Sequence, residues 1–237
     1  FDDWEGLLQQ AEREGITPLL RKHLVESKSP YPTSVRRSLN ILAKRHLHQS
    51  NVRIKVLQEI LDLYKRNGLT PIVIKGAALC HTLYPDPALR PMRDIDILLH
   101  NDEALLAQEL LYDNGFLKSD SPIHEDHYHL PPAVKNVEEV TICIEIHRGL
   151  YPDIPPYYPA VDFNSLSLSA RKFNIGDLEA STFNNEEMLH YLYQHAFHAP
   201  LAYAPYKLIN VADVIGFTEK NYTELDWEKI KKHYPLL

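Results

Sequence analysis

Cysteine is nearly absent from this chain: Cys80 and Cys143 are the only two in 237 residues. Both sit in apolar contexts without metal-ligand spacing, so neither a disulfide framework nor a zinc site is expected, and a reducing, cytoplasmic setting is the expectation. No apolar run approaches the ~20 residues that a membrane-spanning helix needs, and no signal-peptide pattern is read, so no membrane partner is expected. Repeats and low-complexity tracts are missing too. The chain opens on Phe1 rather than Met, as a trimmed chain or a fragment would. An excess of positive charge is also lacking, since the net charge is −7. The deficit is uneven: up to Asn67 there are 12 Lys/Arg against 8 Asp/Glu, and from Gly68 onward 13 against 24. An acidic remainder of that size argues against nucleic acid as a partner, which needs an extended positive surface.

What is present is ordinary globular composition, 44% hydrophobic and 24% charged, enough for a sizeable core. The periodicity predicts short helices over 3–14 and around 18–24, then a long helix from Thr33 or Ser34 to Asn67-Gly68. Arg36, Arg37, Lys44, Lys55, Lys65 and Arg66 share one stripe of it, as a solvated face would. His46, Gln49, Ser50 and Arg53 instead fall in its apolar sector. Such a polar gap marks either a kink or exposed section, or a helix lining a cleft with Arg53 as an anion contact.

The stretch from Pro71 to Leu99 organises the rest. The apolar run Ile72–Ile74 ends at Lys75-Gly76 and passes into helical spacing, a strand-turn-helix whose helix start suits phosphate. A Pro-rich loop over Tyr84–Pro91 leads to Asp94-Ile95-Asp96 in a second apolar run. Acids two apart on a strand share a face, where they repel unless a cation or proton neutralises them. Alone, such a pair also suits a salt-bridged strand start. A strand over 140–147 alternates cleanly and places Cys143, Glu145 and His147 on one face, while 128–134, interrupted by two prolines, reads as an edge or distorted strand. Helices are expected over 186–197, 206–218 and 226–233. His124, His127 and His129 lack fixed ligand spacing. His190, His195 and His198 read as core or surface residues, with His195 the one that could line a cleft.

Three carboxylates on two strands after a Lys-Gly turn resemble the nucleotidyltransferase superfamily of the DNA polymerase β type. The match is closer to its poorly characterised family with a Lys-Gly opening. The matching residues are Lys75-Gly76-Ala77-Ala78-Leu79, Tyr84-Pro85-Asp86-Pro87-Ala88-Leu89-Arg90, Asp94-Ile95-Asp96-Ile97-Leu98 and Glu145-Ile146-His147. Glu187, Leu189, His190, His195 and Asp213 resemble its carboxy-terminal part. The resemblance implies an α+β fold, a mixed sheet with flanking helices. Around it the expected parts are a helical segment over 1–68, the transferase core over 69–150, and a Pro-rich connection with an all-α part over 151–237. It implies an enzyme moving a nucleoside monophosphate from an NTP to an acceptor hydroxyl or phosphate on a small molecule or protein. Asp94, Asp96 and Glu145 would be catalytic and hold two Mg²⁺ ions, or Mn²⁺. Lys75, Gly76, Ala77, Arg90, Arg53 and His147 would bind nucleotide or phosphate. Two departures stand out: Ala77 replaces a residue that could offer a hydroxyl, and the spacer to Asp94 is long. An inactive nucleotide-sensing or partner-binding member of the same fold is the alternative.

Overall fold

Ile72–Ile74 (β1), with all three residues buried, lies within a seven-stranded mixed sheet. The computed structural model describes residues 2–120, 123, 127–151, 162–197 and 207–234. The other strands are Ile95–Leu98 (β2), Leu117–Lys118 (β3), Ala133–Val137 (β4), Val140–His147 (β5), Arg171–Ile175 (β6) and Leu178–Thr182 (β7), in the spatial order β3-β4-β5-β2-β1-β7-β6. β1 runs antiparallel to β2 and parallel to β7, and β2 runs parallel to β5. Among the central strands β1 is an unbroken apolar run, as expected where both faces are covered, while Asp96 interrupts β2 and β5 alternates.

The register positions the chemistry. Ile74 pairs with Asp96, and Asp96 pairs with Glu145. Three adjacent strands therefore present the end of β1, an acid of β2 and an acid of β5 in one row.

Trp4–Arg13 (α1), Thr17–Glu26 (α2) and Thr33–Arg66 (α3) form the amino-terminal helical part. α3, about 50 Å long at 1.5 Å per residue, buries Val52, Val56, Leu57, Ile60, Leu61 and Tyr64, while its six stripe cations are exposed. Pro32 occupies its N-cap without a side-chain cap, and Asn67 and then Gly68, at φ 77°, close it. Lys75–Thr82 (α4) follows β1 directly, a single 3₁₀ turn spans Pro87–Leu89, and Asn101–Asp113 (α5) follows β2. Phe163–Ser169 (α6), Asn185–Phe197 (α7), Leu208–Asn221 (α8) and Trp227–His233 (α9) complete the described helices.

Two expectations are corrected. The carboxy-terminal part is not all-α, because β6 and β7 form a hairpin that extends the sheet beyond β1. Its alternation is weak, since the inward positions of β7 are Ala180 and Thr182. The expected strand around Pro131-Pro132 starts only after the prolines, at Ala133; before them only His129 makes an isolated bridge, to His147. Proline cannot donate to a ladder, so pairing waits until it is passed. Most of the expected Pro-rich connection, residues 152–161, lies outside the described residues.

Candidate active site

Lys75 is the first residue of α4 and adopts φ 50°, the left-handed region that costs a residue with a Cβ about 1 kcal/mol. Its Nζ donates to Asp96 Oδ1 at 2.6 Å, and His147 Nε2 lies 2.9 Å from the same oxygen. Asp96 is 1% exposed. Burial alone would raise its carboxyl, but Lys75 and His147 hold it far below the usual carboxylate range. Burial likewise opposes charge on Lys75, yet Asp96, Tyr191, Asp94 and Glu145 keep its ammonium well above the ordinary value. His147, fully buried behind Asp96, is also held above its ordinary value: burial and Lys75 oppose its charge, and the hydrogen bond to Asp96 with the nearby Glu145 carboxylate (3.7 Å) outweighs them.

Asp94 differs from its neighbour. Burial, then the charge of Asp96, pushes its carboxyl up to about 6. Among the described residues no cationic side chain lies within 4.0 Å of it. Like charges gathered in a buried place favour a bound cation. The donor atoms of Asp96, Glu145 and His147 all lie within 4.8 Å of one another, so the residues present fit a divalent ion held mainly by carboxylate oxygens.

A second buried network flanks the first. Arg90 donates from Nε and Nη2 to Asp213 on α8, at 2.7 Å for Nη2–Oδ2, and the Tyr84 hydroxyl donates to Asp213 Oδ1 at 2.7 Å. Two orienting contacts thus converge on one carboxylate of the carboxy-terminal part. Gly76 lies against this arginine: a Cβ there would fall on Arg90 Nη1 and come within 2.9 Å of Cζ. The glycine is required by close approach, not by a positive φ.

These groups border one cleft of about 660 Å³. Arg53, Lys75, Gly76, Arg90, Asp94, Asp96 and Glu145 all line it, with Glu12, His46 and Gln49 on the amino-terminal wall and His195, Asn210 and Asp213 on the carboxy-terminal wall. Ala77 is buried in the first turn of α4, and His147 stays beneath Asp96; neither lines the cleft. Arg90 reaches it with its Nε and Nη2 already engaged by Asp213. The polar gap read on the long helix is a cleft wall, because His46, Gln49 and Arg53 border the opening while Ser50 is buried. His195 is a cleft residue, and burial, then Lys75, pushes its imidazole down to about 4. His190 is buried, and His124 and His198 lie outside the described residues. His127 and His129 belong to no metal-competent group among the described residues.

Two contributors escaped the sequence reading: Tyr191, buried beside Lys75, and the pairing of Asp213 with Arg90. Asp213 carried a signal, an acid inside the apolar run of α8. Tyr191 carried none, being one more apolar position of its helix.

A strand running into a helix, with acids in register on the next two strands of a mixed sheet, is the arrangement expected of a nucleotidyltransferase. The chain belongs to the family described as uncharacterised nucleotidyltransferase, whose profile matches residues 2–234. Among solved structures, the antibiotic-resistance factor ANT(2'')-Ia is similar at 11% identity over 74% of this chain and 87% of that chain, with a TM-score of 0.50. An antigenic nucleotidyltransferase-like protein from Paracoccidioides brasiliensis is 16% identical over 73% and 76%, TM-score 0.48. The lincosamide antibiotic adenylyltransferase LnuA is 19% identical over 69% and 95%, TM-score 0.45. At such identities the likeness is one of fold. No curated protein matches the chain. No described helix is long and apolar enough to cross a membrane.

Proposed function

We propose that this protein is a Mg²⁺-dependent nucleotidyltransferase that moves a nucleoside monophosphate from an NTP to an acceptor hydroxyl or phosphate. The observation that carries this reading is the convergence of Asp94, Asp96 and Glu145 on one cleft beside the amino end of α4. Asp94, Asp96 and Glu145 would hold two Mg²⁺ ions, with Mn²⁺ an alternative, through carboxylate oxygens. When bound, such ions offset charge on the attacking and leaving oxygens of an in-line displacement.

The chain's own groups supply the rest. Gly76 and Ala77 open α4, whose first backbone N–H groups and dipole favour phosphate; the side chain of Ala77 adds nothing. Lys75, fixed on Asp96, places a cation at the same edge and is the group best sited to offset charge on the leaving pyrophosphate. His147 acts from behind: it donates to Asp96 and so orients the carboxylate. Arg90, tied to Asp213, holds α8 against the phosphate turn, and Nη1, now on the Pro91 carbonyl at 3.5 Å, is the nitrogen it could turn to nucleotide. Arg53 supplies a cation on the opposite wall. Glu145, 19% exposed in its side chain, faces the cleft and would take the acceptor proton.

The test is incubation with each α-³²P-labelled NTP and Mg²⁺ or Mn²⁺ in the presence of a small-molecule extract or candidate proteins. The expected result is metal-dependent label on an acceptor with release of pyrophosphate. Hydrolysis without transfer, or no metal dependence, overturns the proposal.

A further inference from the structure

Arg53 is a buried cation that, among the described residues, forms no ion pair with an acid. It sits at mid-α3, 9% exposed, and borders the cleft. Nη1 donates to the Gln49 carbonyl of its own helix at 3.3 Å, and Nε has no hydrogen-bond partner. No carboxylate oxygen among the described residues lies within 4.0 Å of it. The other buried cations of the cleft are engaged, Lys75 by Asp96 and Arg90 by Asp213. A guanidinium out of water without a paired anion is unfavourable, and its planar fork matches an oxyanion. A substrate oxyanion fits both facts.

Sheet order decides which substrate. Across the cleft floor the strands run β5, β2, β1, carrying Glu145, the two aspartates and then the Lys75-Gly76 turn. The titratable groups that neighbour Arg53 are Asp94 and the neutral Cys143 thiol, on the β2–β5 side. A triphosphate seated at the amino end of α4 would approach from the β1 side of the carboxylates, where β1 runs into that helix. Glu145, two residues along β5 from Cys143 and on the same face, is the group read above as taking the acceptor proton. Of the acids further along that wall, Glu12 is paired with Arg45, and Glu14 accepts from the Leu208 amide.

We infer that Arg53 binds an oxyanion of the acceptor, so that the substrate receiving the nucleotide is a small hydroxyl compound bearing a phosphate or carboxylate group; this rests on the transferase reading above. The acceptor hydroxyl oxygen forms a bond to the α-phosphorus. The bond from that phosphorus to the α,β-bridging oxygen breaks, pyrophosphate leaves with the electron pair, and the hydroxyl proton passes to the Glu145 carboxylate.

The experiment loads the full chain with Mg²⁺ and a saturating α,β-methylene NTP analogue, then titrates inorganic phosphate and, separately, acetate. Binding is read by calorimetry in the parent, R53Q and R53K. One or both anions bind the nucleotide-loaded parent, and which one binds separates a phosphate-bearing acceptor from a carboxylate-bearing one. Affinity falls about tenfold or more in R53Q, the loss expected for one charge-assisted hydrogen bond, and R53K falls between. The affinity for the analogue itself changes little. Thermal melting checks that both variants fold, and a folded R53K with intermediate anion affinity decides the matter should R53Q fail to fold. Two results overturn the inference: anion affinity unchanged in both variants, or a tenfold loss of analogue affinity in R53Q, which would assign Arg53 to the nucleotide. A parent that binds no analogue at all counts against the transferase reading itself.

Discussion

At residue scale the site is built from opposed pairs in which one partner sets the state of the other. Gly76 is the sharpest case. A methyl group in its place meets an arginine that cannot swing away, because Asp213 holds it. Gly76→Ala should therefore cost about 3 kcal/mol in urea unfolding, the scale of a disturbed buried ion pair, and lower transfer as well; stability within 0.5 kcal/mol of the parent would contradict this. His195 makes a pH prediction. Its folded value, about 4, lies below the ordinary 6.5, so the unfolded chain takes up the proton first. Its contribution is present above pH 6.5 and is lost as pH falls towards 4. The amount is at most about 3 kcal/mol. Urea midpoints between those limits should fall less steeply in His195→Gln than in the parent. Much of this scale was legible: acids at alternate strand positions declare a shared face. Burial of His147 behind its acid was not, since its face was readable but not which partner would cover it.

At the scale of elements, the carboxy-terminal helices are tied to the loop after α4 by one carboxylate. Asp213 on α8 accepts from both Arg90 and Tyr84. Asp213→Asn leaves the buried guanidinium without its counter-charge and should cost about 3 kcal/mol, on the order of 10 °C in melting temperature for a chain of this size. A shift of under 2 °C would mean that water or another group replaces Asp213. The helices were readable because their apolar positions recur at helical spacing over many residues. The β6–β7 hairpin was not, because its strands carry mostly polar or small residues. Its clearest signal was the two-residue Gly176-Asp177 connection between Ile175 and Leu178, with Gly176 at φ 60°. Ile175 is also tied to α3, where the Gln58 side chain donates to its carbonyl at 2.7 Å, a contact between residues far apart in the chain.

At the scale of the whole molecule, the cleft exists only because three stretches of chain meet. The floor comes from β1, β2 and β5, one wall from α1 and α3, the other from α7 and α8. Direct bonds join the walls: the Ile209 amide donates to the Glu14 carbonyl at 3.2 Å, and the Leu208 amide to a Glu14 carboxylate oxygen at 3.0 Å. We propose that the chain folds as a helical segment over 1–68 and a core over 69–150, with the remainder closing the second wall. The central claim is that the carboxylates of the floor bind nucleotide through a metal. Calorimetric titration of the parent and the Asp94→Asn, Asp96→Asn double variant with NTP, with and without Mg²⁺, tests it directly. The account predicts Mg²⁺-dependent binding by the parent, and a double variant that folds yet binds at least about 100-fold more weakly. Equal binding of Mg²⁺-nucleotide by the two proteins would contradict it.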